Sequence, residues 1–292
     1  MNNKFDLVIC TYKRPNTILK CLSSVILNNL KPKSIIIIDQ NFDNVTKDYV
    51  INFFFKNKIK NYKYFKNITR RGLTISKNIA IKYCKSKHIF FLDDDIKINK
   101  LFFQNCLSVF NKFQCDGVSG VITNYQNEKI KNLFFHIFNY QEYRDNRYNF
   151  INYKKFISKK IFAKKVYQVP GGITAFKRTI FNKIKFDEKL ITHNYEDVDF
   201  NYRLKKIFKK NRLFISYNAM AEDLLTNNNK SKIETKVYFM RLLSLKYSNF
   251  KLSMLFYISL FGMLISKLIS INFHDIFKMQ RGYKKAKIKR IY

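Results

Sequence analysis

The sequence has no tryptophan, three prolines and seven glycines in 292 residues. So little proline and glycine leaves no obvious flexible linker and excludes collagen-like chains. No repeat recurs at solenoid spacing. The glycine-rich phosphate signatures GxGxxG and GxxxxGK[ST] are missing. A diphosphate would therefore have to be held by side chains and a cation. The five cysteines (Cys10, Cys21, Cys84, Cys106, Cys115) stand singly, without a CxxC pair or His/Cys metal spacing. They read as small core residues of a reducing compartment. No apolar leader precedes the first strand pattern, so secretion is not expected. Acids are scarce as well: 20 Asp and Glu against 56 Lys and Arg, a net charge of +36.

What is abundant is apolar. Hydrophobic residues make up 47% and aromatics 17%, enough to fill a core and exclude wholesale disorder. The charge has two readings. One is an anionic partner, a nucleic acid or a membrane surface. The other is compositional drift, because Lys, Asn, Ile, Phe and Tyr rise together and Lys is spread along the whole chain. A nucleic-acid binder should cluster its basic residues on one face and carry stacking aromatics on a recognisable module. Neither pattern is visible, so no nucleic-acid partner is expected. A surface this basic is still drawn to anionic lipid headgroups.

Apolar periodicity orders the first half. Strands are predicted at Phe5–Cys10, Ser34–Ile38, Tyr62–Phe65, Lys87–Leu92 and Gly117–Ile122. Helices are predicted between them at Thr17–Asn29, Asn44–Phe55, Thr74–Cys84 and Asn99–Phe113. This alternation, with strands apolar on both faces, predicts an α/β fold whose central sheet is mostly parallel and flanked by helices. Residues 124–166 have weak periodicity and read as an irregular connection with a short helix. A helix is expected from Tyr195 to about Lys210, and a last strand at Arg212–Tyr217. Leu252–Ser266 is uncharged and flanked by Lys246 and Lys251 before, and by Arg281, Lys284, Lys285, Lys287, Lys289 and Arg290 after. It is short for a span, which needs about 20 apolar residues. An interfacial helix beside a polybasic tail fits it better, with a buried bundle helix as the alternative. The expected division is 1–225 for the α/β domain and 226–292 for a basic, helical, membrane-associated extension.

Two acidic clusters stand out in a chain so poor in acids. Asp93-Asp94-Asp95 closes the strand ending at Leu92, where α/β sheets bind ligands. Adjacent carboxylates repel unless a cation joins them, and a hard divalent ion is the simplest partner. Glu196-Asp197-Val198-Asp199 opens a helix, where acids also compensate the helix dipole. Between the clusters lies Pro170-Gly171-Gly172, whose glycines permit unusual dihedrals and close backbone approach to a ligand.

These residues carry a resemblance. Val8-Ile9-Cys10-Thr11-Tyr12-Lys13-Arg14-Pro15, Ile36-Ile37-Ile38-Asp39 and Gly72 through Ser76-Lys77-Asn78 come first. They are followed by Phe91-Leu92-Asp93-Asp94-Asp95, by Gly171-Gly172 with Ala175-Phe176-Lys177-Arg178, by Phe186-Asp187-Glu188, and by Glu196-Asp197-Val198-Asp199-Phe200. In that order, over roughly 5–210, the chain resembles a family 2 glycosyltransferase of the GT-A fold. The resemblance implies a nucleotide-diphosphate sugar donor, Mg²⁺ or Mn²⁺, and inversion at the anomeric carbon. Thr11, Arg14, Asp39, Lys77, Asp93 and Asp94 would serve the donor, with Asp39 near the base. Asp95 and Asp93 would hold the metal, Asp197 would be the general base, and Glu196, Gly171 and Gly172 would shape the acceptor side. Asp199 is either a direct participant or only a helix-start acid. Two departures matter. Lys77 stands where the family has Arg, losing a planar fork for phosphate. Glu222 stands near the place of a metal-binding His and could ligate in its stead. The expected acceptor is a cell-surface glycan precursor, free or lipid-linked, at the cytoplasmic face of the membrane. A sugar-phosphate nucleotidyltransferase would instead need a glycine-rich loop after the first strand, and residues 10–15 contain no glycine.

Overall fold

A computed structural model describes residues 4–124, 138, 149–150, 152–190, 195–208, 212–225, 233–247, 250–269 and 271–286. Most of the 124–166 segment lies outside the described residues, as do His193 and the basic residues Lys287, Lys289 and Arg290.

The first strands are β1 (Phe5–Thr11), β2 (Ser34–Asp39), β3 (Tyr62–Lys66) and β4 (His88–Leu92). The run Ser34-Ile-Ile-Ile-Ile-Asp39 shows why they pair in parallel: a β-branched strand apolar on both faces suits a sheet covered on both sides. Between them lie α1 (Pro15–Ile26), α2 (Val45–Lys56) and α3 (Leu73–Tyr83). Pro15 begins α1 at the helix position that tolerates it. The chain continues through β5 (Ile96–Ile98), α4 (Phe102–Phe113) and β6 (Gly117–Ile122). Then come α5 (Tyr153–Ser158), β7 (Ala163–Val166), β8 (Ile173–Lys177), α6 (Glu196–Ile207) and β9 (Leu213–Asp223).

The strand order is β3-β2-β1-β4-β8-β6-β9-β5, with β7 also paired to β9. β1, β2, β3 and β4 are mutually parallel, and β6 and β9 run with them. β8 is inserted antiparallel between β4 and β6, and β5 and β7 join β9 antiparallel. Along β1 and β2 the side chains alternate between two cores. Leu7, Ile9, Ile35 and Ile37 face the cluster that includes Ile18 and Leu22 of α1 and Phe103 of α4. Val8, Ile36 and Ile38 face the other, with Ala80 of α3 and Phe200 of α6. All five cysteines are free, and all but Cys10 are buried.

The expected helices and strands of residues 5–122 are present, most with ends shifted by one to three residues. Three strands were not anticipated: β5, β7 and β8. β9 also runs six residues past its expected end at Tyr217.

Three further helices close the described chain: α7 (Ile233–Tyr247), α8 (Phe250–Ile269) and α9 (Phe273–Lys285). Among the described residues no helix is long and apolar enough to cross a membrane. Val237 and Met240 of α7, Leu255 and Phe256 of α8 and Met279 of α9 share a third core, which also takes in Leu190, Tyr195 and Val198. One face of α8 is therefore bundled, while Phe250, Met254, Tyr257, Phe261 and Leu268 remain exposed. Lys246, expected as a basic flank, is turned inward. Its Nζ lies 2.5 Å from both Asp187 and Asp199.

Candidate active site

Thr11, Asp39 and Asp93 lie at the carboxyl ends of β1, β2 and β4, which register side by side. Parallel strands that stop together leave a crevice there, the usual ligand position of an α/β sheet. Asp93-Asp94-Asp95 forms the tight turn between β4 and β5, closed by the Ile96 amide donating to the Asp93 carbonyl. The three carboxylates have different partners. Asp94 is the anchored one: the Thr11 hydroxyl donates to it at 2.7 Å and Arg14 Nη1 at 2.9 Å. The same Arg14 nitrogen reaches Asp95 at 2.6 Å. A cation thus already sits between Asp94 and Asp95.

Asp93 points inward, beneath the Gly171-Gly172 loop. Desolvation, reinforced by Asp95, Glu196 and Asp94, pushes its carboxyl up to about 7 against the pull of Lys77. Asp94 is also raised, chiefly by burial, although the Thr11 hydroxyl and Arg14 hold it down. The glycines are required for room. A Cβ at Gly172 would lie 1.9 Å from Asp93 Oδ2, and one at Gly171 would lie 2.8 Å from Glu196 Oε1. Neither glycine has positive φ, so the expectation of unusual dihedrals is corrected: their bareness lets the loop lie flat on the acids. The Asp93 amide donates to the Gly172 carbonyl at 2.8 Å, and the Gly171 amide donates to Asp197 Oδ2 at 3.2 Å. One short loop therefore touches both acidic clusters.

Lys77 joins them from below. It is 2% exposed, and its Nζ pairs with Glu196 at 3.1 Å between the rings of Phe91 and Phe186. Burial works against its charge, but Glu196 and Asp93 outweigh that and hold its pKa above the ordinary lysine value. The second cluster starts α6 from Tyr195, which adopts φ 66°, a left-handed conformation unfavourable for a bulky side chain. On the opposite rim, Lys13 has φ 56° and its amide donates to Asn41 Oδ1.

Asp39 is fully buried. Its Oδ1 accepts from the amide and side chain of Asn41, and its Oδ2 from the Tyr64 hydroxyl at 2.7 Å. Glu222 faces out to an exposed ion pair with Lys97. Its neighbour Asp223, on the opposite face of β9, lies toward the triple acid: its carboxyl is raised by burial and by Asp95. Strand alternation sets the two side chains on opposite faces, which follows only once β9 is known to extend that far. Asp199 is walled in by Lys246, Tyr247 and Arg203. Asn78 pins the Phe186–Glu188 segment through the Phe186 amide and carbonyl.

The mostly parallel sheet flanked by helices is that of the GT-A fold. Residues 6–185, more than half the chain, match the family model described as Glycosyl transferase family 2. The chain belongs to that family. Among solved structures it is similar to residues 1-349 of S. aureus TarS, with 18% identity and TM-score 0.55, covering 84% of this chain and 66% of that one. It is also similar to the mannosyltransferase PcManGT from Pyrobaculum calidifontis in complex with GDP-Man and Mn²⁺. There the identity is 11% and the TM-score 0.60, over 95% of this chain and 72% of that one. A third likeness is to GalNAc-T7 with UDP, GalNAc and Mn²⁺, with 14% identity and TM-score 0.58, over 75% of this chain and 43% of that one. The chain thus spans less than two thirds of two of these three structures. No curated protein matches it by sequence.

Proposed function

We propose that this chain transfers a sugar from a nucleotide-diphosphate donor, with inversion at the anomeric centre, to a hydroxyl of a cell-surface glycan precursor. The observation that carries the reading is the loop Gly171-Gly172, which brings the donor-side Asp93 and the acceptor-side Asp197 onto one crevice. Inversion by a single displacement needs a base on the face opposite the leaving group. Asp197 is that base, accepting the acceptor hydroxyl's proton, while Glu196 and the loop shape its approach. Thr11, Arg14, Asp39, Lys77, Asp93 and Asp94 form the donor side, Lys77 by holding the floor rather than by touching phosphate.

The carboxylates suit a divalent ion that keeps its water and shares the diphosphate. Among the described residues no three potential ligands gather to hold an ion unaided, and Mg²⁺-type sites often use one or two carboxylates plus phosphate oxygens. Asp95 and Asp93 would hold it, and it would supply a Lewis acid for the departing nucleoside diphosphate. Arg14, held by Asp94 and Asp95, would supply a further positive charge beside the diphosphate.

We further read the C-terminal helices as lying on an anionic membrane surface at the cytoplasmic face, where lipid-linked acceptors are built. The exposed residues of α8 recur at helical spacing on one side, opposite its bundled face. Residues 226–292 hold fourteen Lys and Arg against two acids, Glu234 and Asp275, and both acids are ion-paired. GDP- and UDP-sugars with Mn²⁺ are the first donors to test. The cognate donor should raise the melting temperature by mass action and release nucleoside diphosphate when a lipid-linked acceptor is added. A product with retained anomeric configuration, or no donor response across the panel, overturns the reading.

A further inference from the structure

Asp197 is braced from two sides. One side is the Gly171 amide already described. The other runs through Asp199, two residues along the first turn of α6, and reaches a different part of the chain. Asp199 is fully buried. Its Oδ2 takes Arg203, while its Oδ1 takes Lys246 Nζ at 2.5 Å and the Tyr247 hydroxyl. Lys246 reaches Asp187 at the same distance, so it ties the Phe186–Glu188 segment to the same turn. The backbone of that turn is closed by the Asp199 amide donating to the Tyr195 carbonyl at 3.0 Å. Tyr195 is the left-handed residue, and its ring stacks on Phe239 of α7 at 5.9 Å. A helix start with this backbone needs outside support to persist. Phe239, Lys246 and Tyr247, which reach this turn from beyond residue 225, all lie on α7.

We propose that Lys246 and Tyr247 of α7 are positioning residues for Asp197, acting through Asp199, so that the C-terminal helices complete the acceptor side of the site. The proposal rests on the reading of Asp197 as the base. Its physical content is a charge balance. Asp187 and Asp199 are matched by Lys246 and Arg203 in a desolvated pocket. Removing Lys246 leaves one carboxylate in excess against the turn that carries Asp197. That turn then relaxes while the strand-end acids, fixed by the sheet, do not.

The test is Lys246→Met, which keeps length and removes charge, beside Lys246→Arg and Tyr247→Phe. A small displacement of a reacting group weakens turnover without weakening donor binding, so Lys246→Met should lower kcat by about tenfold or more. The donor KM and the affinity for nucleoside diphosphate with Mn²⁺ should stay within about twofold. Lys246→Arg should recover most of the loss, and Tyr247→Phe should show a smaller fall in kcat of the same kind. If Lys246→Met does not fold, the kcat of Tyr247→Phe decides alone. A kcat unchanged well below the melting temperature, even with reduced stability, overturns the proposal. So does a loss confined to donor KM. Failure of the underlying reading is seen separately, as wild-type protein that turns over no donor, or as an Asp197→Asn variant that remains active.

Discussion

Asp93–Asp95 and Glu196–Asp199 are both acidic clusters in a strongly basic chain, yet they are held by different means. The first hangs from β4, whose ladder to β1 fixes it, and its cation Arg14 sits just past the end of β1. Its geometry follows from the sheet. The second begins a helix from a left-handed tyrosine and is supported by Lys77 from α3 on one side and Lys246 from α7 on the other. Under the proposed function, the difference teaches that a donor side can be built mainly on strand ends, whereas placing a base against an acceptor recruits distant elements.

The comparison can be broken at several points. Asp197→Asn should lower kcat by about 10²–10⁴-fold, the range for a lost general base, with nucleoside-diphosphate affinity retained. Equal loss of both would mean the clusters are not separable. Lys77→Met leaves Glu196 buried without its cation and should destabilise by about 3–5 kcal/mol, as removal of one partner of a buried pair does. Urea unfolding reads it, and a midpoint unchanged from wild type removes Lys77 as the link between clusters. Gly172→Ala should destabilise by about 1–3 kcal/mol through overpacking on Asp93, with donor affinity falling in the same calorimetric titration.

The smallest effect concerns the far end of β4. His88 is buried against Phe110. Burial, helped by Lys87 and Lys177, lowers its pKa from 6.5 to about 4. The folded value is depressed, so unfolding takes up protons: the contribution is complete above about pH 6.5 and is lost as pH falls toward 4. His88→Leu should flatten the stability profile in that window while leaving turnover near neutrality unchanged. A profile identical to wild type would mean that His88 titrates alike in the folded and unfolded states.

The parallel half of the fold was legible because β1, β2 and β4 are largely apolar on both faces and alternate with helices. The clusters were legible because acids are rare here. What stayed hidden has local causes. β5 is three residues long, and β8, Ile-Thr-Ala-Phe-Lys, sits among residues that read first as a motif. The second half of β9, Asn-Ala-Met-Ala-Glu-Asp, lacks β-branched residues, so its extension and the inward turn of Asp223 left no trace. Lys246 looked like one more flanking lysine because its partners, Asp187 and Asp199, are far away in sequence. The bond from the Tyr64 hydroxyl to Asp39 was hidden in the same way, because the two stand on neighbouring strands well apart in sequence.

The insertion of β8 between β4 and β6 has a consequence for how the chain is made. Phe90 of β4 and Val118 of β6 both pair with Ala175. Until that residue has emerged from the ribosome, the sheet consists of β1 to β4 alone, because β5, β6 and β7 wait for β8 or for the still later β9. The inner edge of β4, apolar along its whole length, meanwhile stands open to solvent and to other nascent chains. Pairings of such long range are slow to form. The risk of aggregation is therefore concentrated in the interval of synthesis between the triple acid and the glycine pair, and it ends with the strand that brings the two together.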